Sequence, residues 1–255
     1  MVKLEIEQFP CLSDNYAVLI HDAESGLTAS IDAPDAKAIL ERLDAKGWRL
    51  THILNTHHHA DHTGANLALK AKWHCTIVGP RADHGRIPGI DIDVGEGDTY
   101  AFGKQVAQVY DVPGHTRGHI AYWFEGSRAL FCGDTLFALG CGRLFEGTPQ
   151  QMWTSLSKLR ALPPDTRVYC AHEYTQSNAR FALTVEPGNA ALVSRSHEID
   201  RLRAGGRPTV PSTLREERAT NPFLRADEPA LQAAMGAAGD AVATFAEIRR
   251  RKDVF

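Results

Sequence analysis

Four imidazoles and a carboxylate fall within one short run, His57-His58-His59-Ala60-Asp61-His62, directly after the apolar segment His52 to Asn55. No other feature limits the possible folds of this chain as much. Crowded together for no purpose, these rings would lose hydration and repel one another on protonation. Imidazole nitrogens and a carboxylate are the donor set for zinc, or for iron or manganese where the site is rich in oxygen. Side chains two apart share a face only in extended backbone, whereas in a helix they diverge by about 200°. His57 and His59 therefore converge if the strand before them runs on as an extended loop. His58, between them, points the other way and reads as packing or support.

Three more segments repeat one arrangement, an apolar strand with a metal-type ligand at its end. Val106 to Val112 leads into Pro113-Gly114-His115-Thr116, Ala129 to Cys132 into Gly133-Asp134-Thr135, and Arg167 to Cys170 into Ala171-His172-Glu173-Tyr174. Taken singly, each is an ordinary turn. Taken together they place ligands at the strand ends of a sheet, where α/β layers hold their ligands. Further strands are predicted at Tyr16 to Ile20, Thr28 to Asp32, Thr76 to Val78 and Ile120 to Phe124. Helical patterns lie at Ala36 to Lys46, Gly64 to Lys72 and Pro149 to Ala161. This is an α/β arrangement up to about residue 172.

After Glu186-Pro187-Gly188-Asn189 the chain turns rich in Ala, Leu, Arg and Glu without a convincing strand, which predicts a helical unit of roughly 70 to 80 residues. Its helices are expected at Ala190 to Arg203, after the Thr213-x-x-Glu216 capping box, at Pro229 to Met235 and at Asp240 to Lys252. Lys plus Arg number 28 against 31 Asp plus Glu, so no basic field is available for nucleic acid or anionic lipid. Glu5 and Glu7 interrupt any N-terminal apolar run, and nothing approaches the ~18 apolar residues of a membrane span. Cys11, Cys75, Cys132, Cys141 and Cys170 are scattered and include no Cys-x-x-Cys, which argues for a reducing, cytoplasmic setting. Gly-x-Ser-x-Gly, a P-loop and a dinucleotide fingerprint are all missing.

The strings THHHADHTG, VPGHTRGH, CGDTLFALGCGRLFEG, YCAHEYT, VEPGN, NPFLR and IRRRKDVF resemble the metallo-β-lactamase superfamily and, within it, the glyoxalase II (hydroxyacylglutathione hydrolase) family. The resemblance spans essentially the whole chain. It implies a four-layer αββα sandwich over residues 1–172 and a small helical, glutathione-binding domain over 173–255. It further implies two divalent ions, zinc first and iron or manganese as alternatives. One ion falls to His57, His59 and His115, the other to Asp61, His62 and His172, with Asp134 bridging. His59, Asp61 and Asp134 are then the catalytic members, and a hydroxide held between the two ions attacks a thioester carbonyl. The implied reaction converts S-D-lactoylglutathione and related 2-hydroxyacyl thioesters to glutathione and a 2-hydroxy acid, the second step of methylglyoxal detoxification. The thiolate leaving group needs little protonation, so no separate general acid is required. A monomer is expected.

Arg249 and Lys252 share a helical face, and their bland reading is a cationic helix end favoured by the macrodipole. In the family the matching residues hold the glycine carboxylate of glutathione, while Tyr174 and Arg143 would contact its peptide part. Asp32 resembles the superfamily's buried aspartate, which hydrogen-bonds beside the metals, and His119 reads as structural. The chain has Arg143 and Phe145 where some members carry Lys and Tyr, which bears on glutathione binding and not on the reaction class. Rival readings are a mononuclear-iron persulfide dioxygenase, a metal-dependent phosphodiesterase and a non-catalytic module braced by metal. The dioxygenase needs neither the second ligand set nor the helical unit. The phosphodiesterase wants a basic surface, and structural zinc usually takes cysteine.

Overall fold

A computed structural model describes residues 3–255; residues 1 and 2, where the expected first domain begins, lie outside the described residues. The chain divides into two compact units, Met1–Asp111 with Arg117–Gly133, and Val112–Thr116 with Asp134–Phe255.

In the first unit the elements run β1 (Glu5–Cys11), β2 (Asn15–Asp22), β3 (Leu27–Ile31), α1 (Ala36–Lys46), β4 (His52–Leu54), α2 (Ala60–Thr63), α3 (Asn66–Trp73), β5 (Thr76–Pro80), β6 (Ile92–Val94), β7 (Thr99–Phe102), β8 (Gln105–Asp111), β9 (Ile120–Phe124) and β10 (Ala129–Gly133). Strands β1 to β6 form one sheet in sequence order, antiparallel through β3 and parallel from there. The change of sense follows from the connections, since tight turns join β1, β2 and β3 while helices carry the chain back to β4 and β5. Strands β7 to β10 pair antiparallel in order. Helix α1 is capped by Asp35, whose carboxylate accepts from the amides of Lys37 and Ala38, and ends at Gly47 in the left-handed conformation. Its Ile39 and Leu43 join Leu69 of α3 on Phe9, Leu19, Ile53 and Ile77 of the first sheet. The two sheets also meet: the Tyr122 hydroxyl donates to the carbonyl of Asn55 at 3.0 Å, and Phe102 packs edge-on against His52. Strand β9 is buried along its whole length, as expected of a strand covered on both faces.

The second unit contains β11 (Leu136–Phe137), β12 (Gly140–Cys141), α4 (Pro149–Arg160), β13 (Arg167–Cys170), α5 (Thr175–Val185), α6 (Ala190–Ala204), β14 (Ser212–Thr213), α7 (Leu214–Thr220), α8 (Pro229–Ala234) and α9 (Ala241–Asp253). Strands β11 and β12 make a small hairpin. Capping boxes start α4 at Thr148 and α7 at Thr213. Leu139 packs with Ala179, Ala182, Leu192 and Ile199 between α5 and α6. Helix α4 packs on α9, and β13 pairs with β14.

Most predicted elements recur within a residue or two of their expected ends. The expectation that nothing after residue 186 forms a strand is corrected by β14, whose two residues are too few to leave an apolar run. Strands β6 and β7 have only three and four residues, mostly exposed, and give no alternating signal. The helix expected over 64–72 is α3, which starts two residues later at Asn66; a short helix not expected from sequence, α2, precedes it and is separated from it by Gly64-Ala65. Among the described residues no helix is long and apolar enough to cross a membrane.

Candidate metal centre

In the first unit, β4 lies between β3 and β5, and the chain leaves it without regular structure until α2 begins after His59. His57 is buried, and its ring lies 4.8 Å from that of His59 and 4.0 Å from that of His62. The side chain of Asp61 accepts from Asn15 Nδ2 at 3.1 Å and stands 3.6 Å from His62 Nε2. One ligand atom from each of Asp32, His57 and His62 falls within a 4.8 Å cluster of the kind that holds a cation. His58 turns away: its Nδ1 bonds the buried carboxylate of Asp83 at 3.0 Å, and Arg86 reaches its Nε2. His119 is buried and stacks on His57 at 4.4 Å, with Nδ1 donating to its neighbour's carbonyl.

Asp32 organises this half of the site. It stands one residue past β3 with φ 55°, a conformation that costs a non-glycine residue roughly 1–3 kcal/mol and that Asp tolerates better than most. From there its carboxylate accepts from the Thr56 amide at 2.7 Å, the Thr56 hydroxyl at 2.8 Å and His62 Nδ1 at 2.8 Å. Proton bookkeeping then sets two tautomers. The Thr56 hydroxyl spends its one proton on Asp32, so at 3.0 Å it accepts from His57 Nδ1. Both His57 and His62 thus carry hydrogen on Nδ1 and a lone pair on Nε2, the form that binds a metal. Thr56 was not singled out from sequence, although it opens the histidine motif.

In the second unit, Asp134 follows the end of β10 and is buried between two histidines. Its Oδ2 lies 3.4 Å from His115 Nε2 and its Oδ1 3.4 Å from His172 Nε2. Two donors each ~2.1 Å from one tetrahedral ion lie ~3.4 Å apart, so these spacings suit shared coordination at either carboxylate oxygen. His115 Nδ1 donates to the Arg143 carbonyl at 2.9 Å, which leaves Nε2 for the ligand. Small residues permit this approach. A Cβ on Gly142 would stand 2.0 Å from the Asp134 carbonyl, and one on Gly114 would meet Met152 of α4 at 2.8 Å. The donor chemistry, imidazole and carboxylate with the Nδ1 atoms of His57, His62 and His115 already engaged, fits divalent cations in both units.

Aromatic rings flank these histidines. Tyr174, partly exposed, stacks on His172 at 4.7 Å, Phe137 meets both edge-on, and Phe145 meets His115 edge-on. A cationic group gathers around the end of α9. Lys252 Nζ lies 5.2 Å from the ring centres of both Phe181 and Phe255. Burial, and then the charges of Arg249, Arg180 and Arg143, push its ammonium down to about 8. Arg249 is buried, donating to the Cys141 carbonyl at 3.0 Å and pairing with Asp253 at 2.7 Å, with its guanidinium over Phe223. Arg143 is largely exposed and faces Asp253 at 3.8 Å.

The family profile described as the metallo-beta-lactamase superfamily matches residues 22–172, and that described as the hydroxyacylglutathione hydrolase C-terminus matches 173–255. The chain is 60% identical over 253 residues to a hydroxyacylglutathione hydrolase of Methylococcus capsulatus, covering 99% of each chain. It is 57% identical over 256 residues to one of Brucella anthropi, covering 99% of this chain and 98% of the other. Among solved structures, ETHE1 from Myxococcus xanthus superposes with a TM-score of 0.71 at 26% identity, over 96% of this chain and 90% of that one. With identity sustained from end to end through both matched segments, the chain has the metallo-β-lactamase fold with a helical C-terminal domain and belongs to the hydroxyacylglutathione hydrolase family.

Proposed function

We propose that this protein hydrolyses S-(2-hydroxyacyl)glutathione thioesters, typically S-D-lactoylglutathione, to glutathione and a 2-hydroxy acid, the second step of methylglyoxal detoxification. The observation that carries this reading is 60% identity to a hydroxyacylglutathione hydrolase along 99% of both chains. His57, His59 and His115 are assigned to one ion, Asp61, His62 and His172 to a second, and Asp134 to both. Zinc is the first choice, and the same donors accept iron or manganese. When bound, such ions supply an acidified water and polarise the thioester carbonyl.

The protein's own groups do the rest. Asp32 and Thr56 hold the His57 and His62 rings in one tautomer and one orientation, so no reorganisation is needed during reaction. His59, Asp61 and Asp134 are the members nearest the chemistry. Residues 173–255, together with Arg143, carry the glutathione contacts. Tyr174 and Arg143 are assigned to the peptide part, and Arg249 with Lys252 to the glycine carboxylate, for which the cluster of Arg143, Arg180, Arg249 and Lys252 offers an attractive field. The protein is assigned to a reducing cytoplasm as a monomer; five buried free thiols suit that compartment.

Purified protein is expected to cleave S-D-lactoylglutathione, to lose that activity on exhaustive chelation and to recover it with added zinc. Activity that survives complete metal removal, verified by elemental analysis, overturns the proposal. A pH series tests the cationic cluster. Lys252 is charged below about 8 and loses its proton above it. KM for the anionic substrate should therefore rise above pH 8, by at most about tenfold per pH unit, with kcat far less affected. Lys252→Arg keeps its charge and should hold KM level to about pH 10. Identical KM profiles for the two proteins would remove Lys252 from substrate binding.

A further inference from the structure

The turn between Asp134 and Arg143 touches His115, His172, Tyr174 and Arg249 of the second unit. It starts at Asp134 and ends at the carbonyl of Arg143 that fixes His115. Phe137, at its tip, packs against the rings of His172 and Tyr174. The Cys141 carbonyl on its return strand takes the hydrogen bond from Arg249. Yet β11 and β12 have two residues each, and Leu139 between them sits at φ 57°. So short a hairpin with a residue in the left-handed region is not stable by its own pairing.

Buried side chains of the helical part hold it instead. Glu217, fully buried on α7, accepts from the Leu139 amide at 2.9 Å through Oε2, while Oε1 is paired with Arg195 of α6. Asn221, also buried, uses Nδ2 to reach the carbonyls of Phe137 at 3.1 Å and Gly140 at 3.0 Å, and Glu217 Oε2 at 3.1 Å. Asn178 of α5 donates to the Ala138 carbonyl at 3.0 Å. Backbone groups of four consecutive residues, 137 to 140, are thus tied to polar side chains 40 to 84 positions away in sequence. The Leu139 side chain is anchored in the same place, in the α5–α6 core.

We propose that Glu217, with Asn221 and Asn178, is a positioning residue for substrate binding: it clamps the 136–141 hairpin so that Phe137 and the Cys141 carbonyl hold Tyr174 and Arg249 ready for substrate. A buried carboxylate with an arginine partner is seldom kept for stability alone, since well-packed apolar groups serve as well, whereas paired charges can specify one geometry. The clamp acts on the hairpin tip and leaves Asp134, anchored at the end of β10, in place. The inference rests on the hydrolase reading for its kinetic arm and stands alone for its structural arm.

Glu217→Gln keeps the volume but turns an amide donor or a neutral oxygen towards the Arg195 guanidinium. In the metal-loaded variant, amides of 136–141 should exchange with solvent at least about tenfold faster than in the parent. KM for S-D-lactoylglutathione should rise about tenfold while kcat changes less than about threefold, and metal per chain should be unchanged. Leu231→Ala, a cavity at a buried residue of α8 with no part in the hairpin, serves as a control of comparable loss in Tm and should leave KM and hairpin exchange alone. Unchanged exchange in 136–141, or a KM no higher than in the Leu231 variant, overturns the proposal. If Glu217→Gln does not fold, Asn178→Ser removes only the bond to Ala138 and is read the same way. If the parent protein fails to cleave the thioester, the hydrolase reading falls, and hairpin exchange alone then decides whether Glu217 clamps.

Discussion

Asp134→Asn is expected to reduce turnover more than about 100-fold and to leave the purified protein short of metal. The argument is comparative. Removing a hydrogen-bond partner behind a metal ligand typically costs 10–100-fold in affinity or activity, and a ligand must matter more than its support. Asp134 presents one oxygen to His115 Nε2 and the other to His172 Nε2, both at 3.4 Å. Asparagine occupies the same volume but removes the negative charge and replaces one oxygen with an NH2 that cannot bind a cation. A shared position between two ions loses most, because the anion also screens their mutual repulsion. Elemental analysis and steady-state kinetics on the same sample give the check. A variant with two ions per chain and turnover within tenfold of the parent would show that Asp134 does not bridge.

Asp32→Asn should cost about 10–100-fold in metal affinity while the fold is retained. Asparagine is among the few residues that accept φ near 55°, so the backbone at this position is preserved. What changes is the chemistry behind the ligands. The carboxylate accepts three hydrogen bonds, from the Thr56 amide, the Thr56 hydroxyl and His62 Nδ1. An amide has one accepting oxygen and must turn a donor towards one of these groups. Either His62 loses its acceptor or Thr56 reverses its hydroxyl and no longer takes the His57 proton. In both cases a ligand ring loses the partner that sets its tautomer. Competition with a chelator of known affinity measures the loss, with circular dichroism as the test of folding. Equal metal retention in the two proteins would reduce Asp32 to a structural role.

Much of this protein could be read in one dimension because its main signals are local. The extended run through His57 and His59 lies between a strand and a short helix, and alternation brings those two rings to one side, though it does not say that His62 stands nearer still to His57. Helix α1 was legible to the residue because its amphipathic stripe and the glycine that stops it lie within twelve positions. The Thr213 capping box likewise lies within a single turn of chain. The exposed strands β6 and β7, and the two-residue β14, were not legible, because pairing with a neighbour and not their own composition makes them strands. Arg249 shows the same limit from another side. Its charge and helical position suggest an exposed cation, but packing has buried it under Phe223 with a carbonyl and a carboxylate as partners.

By itself the sequence determined which residue types could serve as ligands, their placement at strand ends, the α/β class and the change to a helical C-terminal part, all of which depend on residue identity and short periodicities. Only the tertiary structure decided which nitrogen of His57, His62 and His115 is left for a cation, that Asp32 departs from β3 in the left-handed region to hold Thr56 and His62, and that Glu217 clasps a hairpin 78 residues away. Those outcomes turn on where one proton or one carbonyl meets a partner distant in the chain. Such meetings are settled by packing, for which spacing along the backbone carries no record.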